Sequence, residues 1–172
     1  LSVADLLAAS LVASANDACH ALADHVDGSE TAFVQRMNQR AQDLRLHETH
    51  FSNACGHDAA DHLSSARDLA ALAEQALAHA DFVRLVAMQA ATIDIVNRDR
   101  RITLKTSNAL LGRYPGAIGV KTGFTPKAGK CLVALAERDG RRVLLVLLDA
   151  PDRWWSASDV FDRAFAPVAD VP

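Results

Sequence analysis

The stretch KCLVALAERDGRRVLLVLLD, residues 130–149, decides the reading of the fold. Two apolar runs, Lys130 to Glu137 and Arg142 to Asp149, flank Asp139-Gly140, a dipeptide suited to the positive φ angles of a tight two-residue hairpin. Val143 to Leu148 is apolar without interruption, which predicts a strand covered on both faces. Upstream, Ala117 to Phe124 reads as a third strand. Thr92 to Val96 and Ile102 to Lys105 read as two more around a turn at Asn97–Arg101. Downstream, Trp154 to Phe165 has helical apolar spacing and is expected to pack across the sheet, Trp154 and Trp155 included.

The first ninety residues carry a different period. Val3 to Ala13 and Asp17 to Val26 repeat apolar residues every three or four positions, with Ser14-Ala15-Asn16 between them. Ser29 is suited to cap a helix to Leu44, with Phe33, Met37 and Leu44 as its apolar stripe. Leu46 to Leu63, polar and rich in His, Asp and Asn, reads as loop. Ser65 is expected to cap a helix to about Ala78, with Asp68 completing a capping box, and a short helix follows near Phe82 to Met88. Helices followed by strands predict an α+β chain. A helical part at 1–90 carries Ser14 and Asn16, and a sheet part at 91–172 carries Lys121-Thr122-Gly123 and the closing helix.

Composition narrows the function. Over 172 residues, 50% are hydrophobic and 23% charged, with a formal net charge of −3. The Arg98–Arg101 cluster is too short for a nucleic-acid stripe, so no nucleic-acid partner is expected. No run approaches the roughly 18 apolar residues of a membrane span. The sequence opens at Leu1 with neither an initiating Met nor a signal-peptide layout, and reads as starting inside a larger unit. Cys19, Cys55 and Cys131 leave pairing and redox compartment open. Cys131, in an apolar run, reads as a small buried hydrophobe. His47, His50, Cys55, His57, Asp58, Asp61 and His62 are ligand-type residues, but none of the tight spacings of structural zinc occurs, so no metal or other cofactor is expected.

Two short motifs carry the chemistry. Ser14-Ala15-Asn16 lies at a helix junction, where it could also be a plain helix break with a capping role. Lys121-Thr122-Gly123 lies on a strand. A lysine and a threonine hydroxyl at a strand edge can hold a terminal carboxylate by charge-assisted hydrogen bonds. Gly123 leaves room for a peptide backbone beside the strand. Ser14 and Asn16 can relay a proton and hold an amide, and the Phe124 N–H can donate to a developing oxyanion.

With these motifs in this order, the chain resembles the low-molecular-mass D-alanyl-D-alanine carboxypeptidases, the penicillin-recognising serine peptidases. The likeness extends through Met37-Asn38, Thr49 to Asn53, Ser64 to Leu69, Ser107-Asn108, Tyr114-Pro115-Gly116, Lys121 to Thr125 and Asp139 to Arg142. It implies a β-lactamase/transpeptidase-like fold, with an antiparallel sheet, a helical subdomain and a site between them. It also implies peptidoglycan stem peptides and β-lactams as ligands, no metal, and an exported location in the periplasm or cell envelope. Carried over by position, Ser14, Asn16 and Lys121 are catalytic, and Thr122, Gly123, Phe124, Thr125 and Arg153 bind substrate.

The likeness breaks at three points. No serine, from Ser2 to Ser158, has a Lys three residues later, so the family's Ser-x-x-Lys nucleophile motif and its N-terminal strands are missing. Asp149 stands where the family has Gly. Ala15 and the lack of a Glu-x-x-Leu-Asn motif set the chain apart from class A β-lactamases. A fragment or split enzyme, a non-catalytic muropeptide- or partner-binding homologue, and a chain completed by a second copy all remain open. An exposed sheet edge favours a partner segment or second copy that covers it, whereas a non-catalytic binding homologue is expected to fold alone as a monomer.

Overall fold

Asp139 and Gly140 turn the chain with φ angles of 51° and 73°, the pair of left-handed residues that a type I′ hairpin needs. This hairpin sits in a computed structural model that describes residues 1–95 and 100–167. Strand β4 (Gly129–Arg138) pairs antiparallel with β5 (Arg141–Leu147) on one side and with β3 (Ala117–Thr125) on the other. A second antiparallel ribbon joins β1 (Ala90–Asp94) to β2 (Arg101–Lys105). Of the turn expected at Asn97–Arg101, residues 97–99 lie outside the described residues, and Arg101 already belongs to β2.

The α+β class stands, but among the described residues the five strands divide into two sheets. The ribbon is apolar on one face, where Ala91, Ile93, Ile102 and Leu104 pack against α1 (Val3–Ala13) through Ala8, Ala9 and Val12. That core ties the ribbon to the helices α1, α2 (Asn16–Asp27) and α5 (Ala80–Val86). The three-stranded sheet makes its own core. Leu132, Ala134 and Ala136, at alternate positions of β4, meet Ala157 and Phe161 of α6 (Arg153–Phe165). Alanines at 0% exposure on both sides let helix and strand approach closely. On the opposite face Leu135 packs with Val120 and with Val86 of α5.

Several expectations need correcting. Ser65 does cap α4 (Ala66–Leu77) by accepting the Asp68 N–H, but the Asp68 carboxylate does not return to complete a capping box. It is buried and accepts instead from the Glu48 N–H and the Thr49 hydroxyl, both at 2.8 Å. Linking two elements uses the carboxylate more fully than closing its own helix turn. The complete capping box belongs to α1, between Ser2 and Asp5. The short helix begins at Ala80, two residues early. Val143 to Leu147 are half-buried and Leu148 is exposed, because β5 pairs only with β4 among the described residues. Trp155 is 80% exposed, since only Trp154 turns toward the core. Cys131 is half-buried, near the open start of β4.

Candidate functional site

Ser14 ends α1 in the left-handed conformation, φ 56°, ψ 37°. A non-glycine residue there costs on the order of 1–2 kcal/mol, and such strain gathers at functional sites. Ser14 is the C-cap of α1 through its backbone, and Ala15 is the N-cap of α2 without a side-chain bond, so the Ser14 hydroxyl caps neither helix. It instead accepts a hydrogen bond from Lys121 Nζ on β3. Lys121 also donates to the Thr122 carbonyl at 3.0 Å. Burial of the ammonium pulls the Lys121 pKa below its ordinary value.

Around this contact opens a cleft of about 600 Å³. All eight residues singled out from the sequence, Ser14, Asn16, Lys121, Thr122, Gly123, Phe124, Thr125 and Arg153, line it. The Thr122 hydroxyl shares a hydrogen bond with that of Ser107 at 2.6 Å. At Gly123 an added Cβ would come no closer than 3.7 Å to Cys131, so the missing side chain leaves the cleft open rather than relieving a clash. Phe124 is 66% exposed on the rim. The Thr125 hydroxyl accepts from the Ala128 N–H and closes the β3–β4 turn. Arg153 Nη1 donates to the carbonyls of Gly123 and Cys131 at 2.7 and 2.9 Å, and its guanidinium lies 4.6 Å from the Trp154 ring.

The facing wall comes from the loop between α3 (Glu30–Asp43) and α4. Asn38 clamps both backbone groups of Phe51 at 2.8 Å. Asn53 Oδ1 accepts from the N–H groups of Gly56 and His57. Glu30 accepts from the Ala54 N–H, which, with His20 beside it, holds its carboxyl below the usual range. A Cys19–Cys55 disulfide fastens the loop to α2. Asp58 accepts from the Lys127 N–H at 3.3 Å, bridging this loop to the β3–β4 turn. His62 Nδ1 accepts from the Ser52 N–H, and burial, with His50 and His57 nearby, lowers its pKa.

Ser107, His57 and His62 line the cleft but were not singled out as site residues. Ser107 follows β2 beside a buried Asn108 whose Oδ1 accepts the Leu110 N–H. Only that turn brings its hydroxyl to Thr122, a contact no local pattern announces. Asp149, at φ 43°, adopts the left-handed conformation that glycine takes without the steric cost of a side chain.

Chemically, the cleft offers an ammonium, three hydroxyls and a strand edge on one side, and the Ser14 hydroxyl and an amide on the other. Such a set can hold a carboxylate and a peptide backbone while a proton moves between Lys121 and Ser14.

Comparison with known proteins agrees with this geometry. Residues 1–152 match a family described as D-alanyl-D-alanine carboxypeptidase, peptidase family S11. The chain is 35% identical, over 175 residues, to the D-alanyl-D-alanine carboxypeptidase DacF of Bacillus subtilis (strain 168), covering 100% of this chain and 45% of that protein. It is 36% identical to a D-alanyl-D-alanine carboxypeptidase of Streptomyces sp. (strain K15), covering 96% of this chain and 62% of the relative. The chain thus spans roughly half to three-fifths of these relatives' lengths. The crystal structure of the Streptomyces K15 DD-transpeptidase superposes with a TM-score of 0.92 at 34% identity, over 97% of this chain and 69% of that one. The D-alanyl-D-alanine carboxypeptidase structure from Mycobacterium tuberculosis H37Rv gives 0.89 at 32% identity, over 99% and 66%. With the fold, the cleft and these likenesses in agreement, the chain belongs to the D-alanyl-D-alanine carboxypeptidase family.

Proposed function

We propose that this chain forms the substrate-holding part of a serine-type D-Ala-D-Ala carboxypeptidase that trims peptidoglycan stem peptides through an acyl-enzyme. The observation that carries the reading is the hydrogen bond from Lys121 on the sheet to Ser14 at the helix junction, across one cleft. The helices of 1–90 and the sheet of 91–172 act as the two walls. The nucleophile is a serine in a Ser-x-x-Lys segment outside these 172 residues. Its hydroxyl gives its proton to the lysine of that segment and attacks the carbonyl of the penultimate D-Ala, the Phe124 N–H steadies the oxyanion, and the C–N bond breaks. The leaving amine takes its proton through Ser14, which Lys121 re-supplies. Water then hydrolyses the ester. Asn16 holds the substrate amide. Lys121, Thr122, Thr125 and the Arg153 guanidinium attract the terminal carboxylate. A β-lactam would acylate the same serine.

A place for the supplying segment supports this reading. An apolar cavity of about 340 Å³ lies between α4 and the sheet, walled by Leu72, Phe82, Leu132 and Leu147 and bordered by Lys121 to Gly123. The outer edge of β5 is also unpaired among the described residues. A segment with an apolar helix and an edge strand would fill both and bring its serine beside Lys121. The substrate implies export to the periplasm or cell envelope. No helix among the described residues is long and apolar enough to cross a membrane.

The test mixes the purified chain with a separately produced segment bearing Ser-x-x-Lys. Release of D-Ala from a D-Ala-D-Ala-terminated peptide and labelling by a fluorescent penicillin are expected only when both are present. Ser14→Ala or Lys121→Ala should lower turnover by about 10²–10³-fold. Muropeptide binding by the chain alone, with no acylation when the segment is bound, would overturn the proposal.

A further inference from the structure

Beside the cleft lies a cluster that the proposed catalysis does not use. Cys19 and His20 are neighbours on α2, Glu30 opens α3, and Cys55 arrives from the cleft loop. Glu30 Oε2 is 3.0 Å from His20 Nδ1. The ligand atoms of His20, Glu30 and Cys55 all lie within 4.8 Å of one another. Cys19 and Cys55 have Cα atoms 5.8 Å apart and their sulfurs are bonded, so neither is a free thiolate. His20 and Glu30 keep 39% and 34% side-chain exposure, which leaves the cluster open to an ion from solvent.

We infer that reduction of Cys19–Cys55 turns this cluster into a zinc site with Cys19, Cys55, His20 and Glu30 as its four ligands. Two thiolates, an imidazole and a carboxylate are the donor types that zinc selects. A tetrahedron with ordinary Zn–N and Zn–S bonds separates its ligand atoms by about 3.3–3.8 Å. Within the His20, Glu30 and Cys55 group the longest separations close by about 1 Å and the His20–Glu30 pair opens slightly from 3.0 Å. Breaking the S–S bond lets the Cys19 and Cys55 sulfurs part to take two separate corners. A dithiol supplies two electrons and two protons to the S–S bond, is itself oxidised to a disulfide, and leaves two thiols. The ion then displaces both thiol protons to water. The zinc replaces the disulfide as the tie between α2 and the Ala54–His57 wall, so this wall keeps its place in either redox state. The sequence hid the site because its ligands come from three elements, without the short spacing of a zinc motif.

The test uses the whole chain, reduced with a dithiol and desalted without oxygen, against the oxidised chain. The reduced protein is expected to bind one Zn²⁺ in competition with a chromophoric chelator. With Co²⁺ it should show thiolate-to-cobalt charge-transfer absorption of two-sulfur intensity. The oxidised protein should show neither. His20→Ala, and Glu30→Gln which preserves the Ala54 contact, should each weaken binding by about 100-fold or more, beyond the loss of an outer-shell partner. Equal binding in both redox states, no one-to-one binding after reduction, or unchanged affinity in both variants would overturn the inference. The wild-type comparison stands even if a variant folds poorly. No readout depends on peptidase activity, so this inference and the proposed function can fail separately.

Discussion

The two walls of the cleft are held by different kinds of bond. The sheet wall, β3 through β5, is fixed by ladder register and by small residues meeting α6, so its position is shared among many equivalent interactions. The loop wall, from Leu46 to Leu63, has one isolated bridge, His50 with Leu63. Otherwise it hangs on a few side chains that grip backbone groups, and on one disulfide. The contrast implies that single changes should loosen the loop wall while the sheet wall stays ordered.

The strongest challenge is to open the disulfide. It closes a separation of 36 residues, for which chain entropy assigns about 4 kcal/mol. Replacing both Cys19 and Cys55 with Ala should therefore lower the melting temperature by roughly 8–16 °C for a chain of this size. Amide exchange should speed up first across residues 50–58, with the β4 amides protected until global unfolding. Equal acceleration in both walls would show that they unfold as one unit.

A sharper probe is Asp68→Ala. Its carboxylate is 5% exposed and serves the Glu48 N–H, the Thr49 hydroxyl and, through Thr49, the Ser64 hydroxyl. Truncation leaves two donors without their acceptor, a loss of about 2–3 kcal/mol. The drop, roughly 4–12 °C, should come with faster exchange at Glu48. If Asp68→Ala melted like the wild type, water would be replacing the carboxylate, and the loop wall would be less dependent on single side chains than argued.

The same contrast explains what the sequence could reveal. The sheet was legible because its rules are local. Two apolar runs on either side of a turn dipeptide at Asp139-Gly140 marked both strands and their reversal together. Ser14 and Lys121 were legible through motif resemblance, although nothing local says that a hydroxyl at 14 meets an ammonium at 121. The loop wall was illegible. Asp68 has the look of a capping residue, and only tertiary structure shows its carboxylate taken by another element. Cys19 and Cys55 could not be paired from an odd count of three. Trp155 and Leu148 misled because apolar periodicity marks which face a residue shares, not whether another element covers that face.

The smallest expected effect has the opposite sign. Lys121 holds an ammonium in a partly buried position at the junction of the two walls, a placement that suits carboxylate binding and not stability. Lys121→Met keeps most of the apolar stem and removes the charge, and should raise stability by about 1 kcal/mol, or roughly 2–4 °C. Burial lowers the lysine pKa in the folded state, so between that lowered value and the ordinary 10.5 the unfolded chain binds more protons. Stability of the wild type relative to Lys121→Met should therefore rise with pH through that window, and the advantage of the variant should shrink. Melting both proteins across the alkaline range measures the difference directly, with the other titrating groups cancelling. A variant less stable than wild type at neutral pH would mean that the hydrogen bonds to Ser14 and to the Thr122 carbonyl outweigh the cost of burying the charge. The junction would then act as a structural clasp between the walls rather than a strained site kept for binding.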